Sequence, residues 1–162
     1  MGSAVARIVL FLALCAAIAL AVVGGASAEE ERLSPVLATI NICDDGSNQV
    51  GARVSAPGDG SEQSIRARFS LQWYSEAQGA WLAVEGASAS PWMEVGSSQV
   101  SSQQAGYTFQ FDLPSDGRSK QVRAVTEVQW SIGATMVRSS SAVSQAGLPS
   151  DVGGSQATCS IS

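Results

Sequence analysis

Apolar and polar residues alternate without a break from residue 65 to residue 74. One parity is apolar and the other is polar: Ile65, Ala67, Phe69, Leu71 and Trp73 alternate with Arg66, Arg68, Ser70, Gln72 and Tyr74. A side-chain period of two belongs to an extended strand, and one apolar parity means that one face of the strand is buried. The pattern therefore predicts a half-buried β-strand with its odd-numbered residues in a core.

The same alternation recurs further along the chain. Gly106–Leu113 stops at Pro114, which lacks the N–H that a strand ladder needs, and Val122–Ile132 alternates over a longer stretch. Weaker strand signals lie at Val36–Ile42, Val50–Ser55, Trp81–Val84, around Met93 and at Met136–Val143. No apolar pattern with the helical period follows the N-terminal segment, so the chain is predicted to be all-β with about seven to eight strands.

Turn signals separate these segments. Asp-Gly pairs occur at residues 45–46, 59–60 and 116–117, and Gly133-Ala134 suits a two-residue type II′ hairpin because Gly adopts positive φ freely. The Ser- and Gln-rich stretch from Gly96 to Gly106 is predicted to be an exposed loop. Short alternating strands with closely spaced turns are typical of a two-sheet antiparallel β-sandwich.

The first 28 residues have the pattern of a secretory signal peptide. Arg7 provides a positive charge, Ile8–Val23 is continuously apolar, and Ala26-Ser27-Ala28 is a small-residue cleavage site. A membrane span needs about 20 apolar residues, more than this run supplies, so we expect cleavage before Glu29 rather than anchoring. Residues 29–35 would then be a flexible lead to one domain at 36–162.

Two cysteines, Cys43 and Cys159, follow the predicted cleavage site, since Cys15 lies within the signal. Two cysteines in an exported chain permit one disulfide, and we expect Cys43–Cys159 to be oxidised. The loop between them is long, so the chain-entropy model gives about 4 to 5 kcal/mol of stabilisation. The predicted role is a staple between the beginning and the end of the fold.

The segment Phe69–Val84, FSLQWYSEAQGAWLAV, resembles the central hairpin of immunoglobulin-like and fibronectin type III-like domains, and residues 107–130 are similar to their later strands. Together with the signal peptide and the two cysteines, the chain resembles small secreted single-domain proteins of high-GC bacteria that have no established activity. The resemblance implies an immunoglobulin-like β-sandwich without a catalytic signature.

Composition excludes several function classes. The 162 residues include no histidine, which removes Ser-His-Asp and Cys-His catalysis and histidine metal sites. Nine basic against 14 acidic residues give a net charge of −5, so we expect neither nucleic acid nor an anionic membrane as a partner. Asp44, Asp45 and Asn48, and Asp59 with Glu62, lack calcium-loop spacing, so no metal or cofactor is predicted.

The register of one hairpin decides the position of Trp81. Directly opposite Trp73 it would lie in the core, which is the arrangement we favour, as parity also places Trp73 and Trp130 there. A shift by one residue would instead pair Trp73 with Leu82 and bring Trp81 beside Tyr74 on the outer face.

Tyr74, Trp81 and Trp92 are the aromatic residues that core parity explains least, and they form a candidate binding surface. Trp92 follows Pro91 in a loop-like context. The predicted function is a secreted, non-enzymatic interaction or adhesion module with a protein or glycan partner outside the cell. A carbohydrate-binding module that stacks sugars on coplanar exposed rings is the alternative, and a small hydrolase or inhibitor is less expected.

The exported product is expected to begin at Glu29, because the small residues at 26 and 28 fit a signal peptidase site. N-terminal sequencing of the protein recovered from the medium should return Glu-Glu-Glu-Arg. A product that starts at Met1 would contradict the prediction.

Overall fold

The structure of the chain, a computed structural model, describes residues 35–84, 87, 89–110, 117–148, 154 and 156–162. These residues form nine strands and no helix: β1 (Leu37–Asp44), β2 (Gln49–Pro57), β3 (Ser64–Ser75), β4 (Ala80–Ala83), β5 (Met93–Ser97), β6 (Ser102–Gln110), β7 (Lys120–Ile132), β8 (Thr135–Val143) and β9 (Cys159–Ile161). The all-β prediction is confirmed, although the strand count exceeds the predicted seven or eight. The predicted signal peptide and residues 29–34 of the lead lie outside the described residues. Within the described part, no helix could cross a membrane.

The strands form two antiparallel sheets. One has three strands in the order β1-β2-β6, and the other has six, with the path β4-β3-β7-β8. Strand β7 pairs with β3 along residues 64–73, so β4 and β5, which also pair with β3, share its other edge. In the same way β8 and β9 occupy different parts of the outer edge of β7. The arrangement is that of a two-sheet β-sandwich.

The inner faces of the sheets form one apolar core. The predicted parity of β3 and β7 holds as far as Trp130, because Ile65, Phe69, Val128 and Trp130 are all buried. It fails at Ile132, which is exposed and follows a register shift in the pairing of β7 with β8. The three-stranded sheet contributes a matching set of buried side chains: Ile40, Val50, Ala52, Val54, Ala56 and Phe109. The Trp130 indole N–H donates to the Pro57 carbonyl at 3.1 Å, so its polar atom is satisfied inside the core.

The stretch predicted as a loop between Gly96 and Gly106 is largely strand, and this prediction is wrong. Strand β6 begins at Ser102 and pairs with β2 without a register shift up to Gln110. Because β6 is an edge strand of the three-stranded sheet, it needs few large apolar residues. Its many polar side chains therefore hid the alternation that marks a strand. The predicted end of this strand, together with Pro114 and Asp116, lies outside the described residues.

Two hairpin turns show how the chain reverses. In the turn between β1 and β2 the left-handed conformation is adopted by Asn48, with φ of 55°, and not by Gly46 of the predicted Asp-Gly pair. Asn tolerates this conformation better than other side chains do. In the turn between β7 and β8, Gly133 has φ of 57°, as a type II′ turn requires at its first central position.

After β8 the chain leaves the six-stranded sheet and runs along β1. The Ser144 N–H still donates to the Ala124 carbonyl on β7 at 2.9 Å, whereas the Gln145 N–H donates to the Ala38 carbonyl on β1 at 2.9 Å. Gln156 then pairs with Ile40 before β9 returns to β7. The described residues of this segment, Ser144, Gln145 and Gln156, therefore contact strands of both sheets. Strand β9 has only three residues, too few to show an alternation in the sequence.

A disulfide between Cys43 and Cys159 joins the two sheets, and the predicted pairing is confirmed. It connects β1 to β9 with a Cα–Cα distance of 5.4 Å and a sequence separation of 116 residues. Cys159 is buried beside Val122, its partner in the ladder with β7. A disulfide of this kind is typical of proteins that fold in an oxidising compartment.

Replacing either half of the disulfide, as in Cys159→Ser, should lower the melting temperature by about 10 °C or more, since the bond constrains a long loop of the unfolded chain. Calorimetry with and without a reducing agent checks this expectation. Reduction should destabilise the wild-type protein to the same extent and leave Cys43→Ser unaffected. An unchanged melting temperature in the variants would contradict it.

Candidate functional site

The outer face of the six-stranded sheet carries the polar parity of β3 and β7. Its basic residues are partly matched by acidic or amide neighbours: Arg68 lies opposite Glu127, and Arg66 lies opposite Gln129. The Arg66 guanidinium donates to the Gln129 side-chain carbonyl at 3.4 Å. The centre of this face is therefore a polar surface, and its aromatic residues are the exception to that pattern.

The hairpin of β3 and β4 places Tyr74 opposite Trp81 and Trp73 opposite Leu82. The favoured placement of Trp81 in the core is therefore wrong, and the register shifted by one residue is correct. The turn over residues 76–79 determines this register, because it pairs Ser75 with Ala80. As cross-strand partners share a face, Trp81 joins Tyr74 on the outer face, with ring centroids 5.3 Å apart and planes tilted by 59°.

Arg123 completes an aromatic–arginine cluster with Gln72, Tyr74 and Trp81. Its guanidinium carbon lies 4.3 Å from the centroid of a Trp81 ring. Its Nε and Nη2 both donate to the Gln72 side-chain oxygen, at 2.9 and 2.7 Å. Burial lowers the pKa of Arg123 from its ordinary value, although the group stays charged at neutral pH. Arg123 and Gln72 were not predicted as site residues, because only the cross-strand register shows that they are neighbours.

Trp73 is half-buried and packs against the core near the end of β3, rather than being enclosed by it. The Lys120 ammonium nitrogen lies 5.0 Å from the centroid of a Trp73 ring. Lys120 is the first residue of β7 and pairs with Ile161 on β9. The ring therefore meets the core on one side and a cation on the other.

Trp92, the third residue of the candidate binding surface, lies apart from Tyr74 and Trp81. It precedes Met93, whose ladder partner is Ala67, so it sits about 20 Å along β3 from Tyr74. The Arg66 guanidinium carbon lies 5.9 Å from the centroid of a Trp92 ring. The structure thus brings two of the three predicted aromatic residues together and leaves Trp92 near the opposite end of the sheet.

A groove of about 720 Å³ lies next to the aromatic–arginine cluster, at the end of β3. Its walls come from the turn after β3, from the start of β7 and from β9. The lining residues combine aromatic, hydroxyl and charged groups: Trp73, Tyr74, Ser75, Glu76, Ala77, Arg118, Ser119, Lys120, Gln121 and Ser160. Tyr74 belongs to both the groove and the cluster, so the two features form one continuous surface.

The acidic residues considered as calcium ligands bind neighbouring donors. Asp44 accepts from the Ser47 hydroxyl at 2.7 Å, and Asp45 accepts from the Ser162 hydroxyl at 2.7 Å. The hydrogen bonds from Ser47 lower the pKa of Asp44, and the Ser162 backbone N–H, at 2.6 Å, lowers the pKa of Asp45 together with the Ser162 hydroxyl. Among the described residues, no group of three or more acidic, histidine or cysteine side chains is arranged to hold a metal ion.

Asp59 fastens the β2–β3 connection to the turn after β5. It accepts from the Ser61 N–H at 3.0 Å and from the Ser98 hydroxyl at 2.7 Å, while its own N–H donates to the same hydroxyl. The donors of Ser61 and Ser98 hold the pKa of Asp59 down to about 2. The carboxylate form of Asp59 is therefore part of the folded structure.

Comparison of the chain with protein families, with curated proteins and with solved structures finds no match. Inference about its function therefore depends on the described surface.

Because the pKa of Asp59 is lower in the folded chain than its ordinary value of 3.8, its contribution to stability is present above about pH 4. The contribution is lost as the pH falls through about 2. Asp59→Asn should cost at most about 1 kcal/mol at neutral pH, since the carboxylate is exposed, and should flatten the loss of stability between about pH 4 and 2. Urea unfolding across this range measures the slope. Glu62→Gln, which removes a neighbouring carboxylate, should change it less, and equal slopes for wild type and Asp59→Asn would contradict the prediction.

Proposed function

We propose that the protein is a secreted, non-enzymatic, immunoglobulin-like module that binds another protein through the aromatic–arginine cluster. The observation that carries this proposal is the arrangement of Arg123, held by Gln72 and stacked on Trp81 beside Tyr74. Tryptophan, tyrosine and arginine are the residues that most often dominate binding energy at protein interfaces. Here they are ordered by each other, so little side-chain entropy remains to be lost on binding.

The strand order supports an immunoglobulin-like identity. The sheet β1-β2-β6 corresponds to the A-B-E order of such domains, and the path β4-β3-β7-β8 corresponds to C′-C-F-G. In this correspondence the cluster lies on the outer face of the C′-C-F-G sheet. Strand β5, which pairs with β3, and strand β9, which pairs with β7, are additions to that pattern.

Secretion is supported by two independent features. The N-terminal apolar run with its small-residue cleavage site has the organisation of a signal peptide. The disulfide between Cys43 and Cys159 requires an oxidising compartment in which to persist. After removal of the signal, the partner would be met outside the cell.

Ring geometry favours a protein partner over a glycan. Sugar binding by stacking uses open, coplanar ring faces, whereas Tyr74 and Trp81 are tilted by 59°. Cations lie over Trp81 and Trp73, at 4.3 and 5.0 Å from the ring centroids, and cover faces that a sugar would need. A protein partner can instead use the ring edges, the guanidinium and the phenol hydroxyl.

Trp81→Ala should weaken binding of the natural partner about 30-fold, the effect of losing a hot-spot residue, and Arg123→Gln should act in the same direction. The partner is first captured with the tagged, oxidised protein from extracellular and envelope fractions, and affinities are then measured by calorimetry. A polysaccharide array is probed in parallel.

The controls are Trp92→Ala and Arg66→Gln, which remove the same side-chain types from the far end of the same sheet and should leave affinity unchanged. The melting temperatures of all four variants show whether a loss of affinity comes from a lost contact with the partner or from unfolding of the variant. Equal loss of affinity in both pairs, or binding confined to glycans on the array, would refute the proposal.

A further inference from the structure

Strand β8 presents a free edge along one side of the six-stranded sheet. It pairs with β7 from Thr135 to Val143, and among the described residues no strand pairs with its opposite edge. Just beyond its end, Ser144 forms an isolated bridge with Ala38 on β1. Seven of the nine residues of β8 are exposed. The backbone groups along this edge can therefore accept a further strand.

Strand β8 also lacks the features that usually keep an edge strand from pairing. It contains no proline, lysine or acidic residue, and its ladder with β7 is regular from Arg138 to Val143. Arg138 is its one charged residue. The Arg138 guanidinium carbon lies 3.8 Å from the centroid of a ring of Trp130, which is buried. The charge is therefore turned towards the core and does not guard the edge.

The hydrogen bonds to β7 show which backbone groups of β8 point to the free edge. The Ser144 N–H donates to the Ala124 carbonyl on β7 at 2.9 Å, and Val143 continues the same register. In an antiparallel ladder, successive residues direct their backbone groups to opposite sides. The N–H and C=O groups of Ser139, Ser141 and Val143 are therefore directed away from β7.

We propose that β8 pairs in antiparallel orientation with β8 of a second copy of this chain, about a two-fold axis at Ser140. The sequence around this residue reads almost the same in both directions: Val137-Arg138-Ser139-Ser140-Ser141-Ala142-Val143. The axis places Ser139 of one copy opposite Ser141 of the other. Both residues direct their backbone groups to the free edge, so they meet as the hydrogen-bonded pairs that an antiparallel ladder requires.

The side chains are compatible with this pairing. The axis places Val137 of one copy opposite Val143 of the other, and both are exposed apolar residues. Arg138 faces Ala142 of the second copy, so the one charge of β8 does not meet its own equivalent. Small serine side chains occupy the centre and allow close approach of the two backbones. The edge is thus self-complementary, as an interface with two-fold symmetry must be.

The edge of β6 in the other sheet suits self-pairing less well. Gln103 near its beginning donates from its side-chain nitrogen to the Ser97 carbonyl at 3.5 Å, so β5 lies beside this part of the strand. Its sequence, SQQAGYTFQ, reads differently in the two directions. Self-pairing is therefore assigned to β8.

This dimer would affect how the aromatic–arginine cluster meets a partner. A two-fold axis between antiparallel strands of one sheet is perpendicular to that sheet, so the outer faces of both copies point to the same side. Two clusters would then be displayed together, which raises the apparent affinity for a repetitive or surface-bound partner. Edge pairing buries less than the about 1,200 Å² of a standard interface, so we expect a reversible dimer with a dissociation constant of about 10 µM.

The test measures self-association of the purified, oxidised protein by sedimentation velocity from about 1 to about 200 µM. Wild type should shift from monomer to dimer. Ser139→Lys/Ser141→Lys places lysines opposite lysines and should weaken the dimer at least about tenfold, as should Ser139→Glu/Ser141→Glu. An equimolar mixture of the two double variants should dimerise again, because each lysine then faces a glutamate. This restoration also shows that both variants are folded.

The control adds the same two charges to the edge strand of the other sheet. Thr108 and Gln110 are exposed and two residues apart on β6, so Thr108→Lys/Gln110→Lys should dimerise as wild type does. The axis is tested by cysteine. Ser140→Cys faces itself across a non-hydrogen-bonded pair and should form an intermolecular disulfide, whereas Ser139→Cys faces a serine and should form far less.

A wild-type protein that stays monomeric at every concentration would overturn the inference. So would a mixture of the lysine and glutamate variants that fails to dimerise, or an equal loss of dimer in the β6 variant. Equal crosslinking of Ser139→Cys and Ser140→Cys would refute the axis at Ser140. These results are independent of the proposed function, because the effect of Trp81→Ala on the natural partner is measured at a different surface.

Discussion

The pairing of β3 with β7 is the interaction on which the other features of the sandwich depend. The ladder runs in register from Ser64–Ser131 to Trp73–Val122, without a bulge. Unbroken register keeps one parity of both strands in the core and the other parity on the outer face, since a slip of one residue would exchange the two faces. The remaining strands of this sheet attach to the two outer edges of the pair.

The ladder also determines which outer side chains meet. It places Arg123 opposite Gln72, and the short β3–β4 hairpin brings Trp81 next to Tyr74. Neither pairing alone would order the guanidinium, but together they place it between an amide oxygen and an indole ring. The aromatic–arginine cluster is thus built from residues on three strands, by backbone register alone and without a long loop.

The sequence was informative where apolar and polar residues alternate clearly. It was uninformative where the position of a side chain depends on which strands pair and in which register. The all-β class, the core faces of β3 and β7 and the disulfide followed from the residues, because each depends on a local pattern or on a cysteine count. The part of β6 that precedes Gly106 was missed because its inner parity includes Gln103 and small Ala105, which give little hydrophobic signal. The position of Trp81 depended on a one-residue register that the turn determines, and Arg123 became visible only when β7 was placed beside β3. Pairing between strands that are distant in the chain cannot be read from the period of apolar residues within one strand.

The walls of the groove come from segments that are far apart in the chain. One wall follows β3 near residue 76, another begins β7 near residue 119, and the third includes Ser160, next to the disulfide-bonded Cys159. During synthesis the first two walls can form before the third exists, so a nascent chain that already has most of its core still lacks the complete groove. Oxidation of Cys159 fixes the last wall in place. Completion of the groove would therefore coincide with covalent closure of the chain.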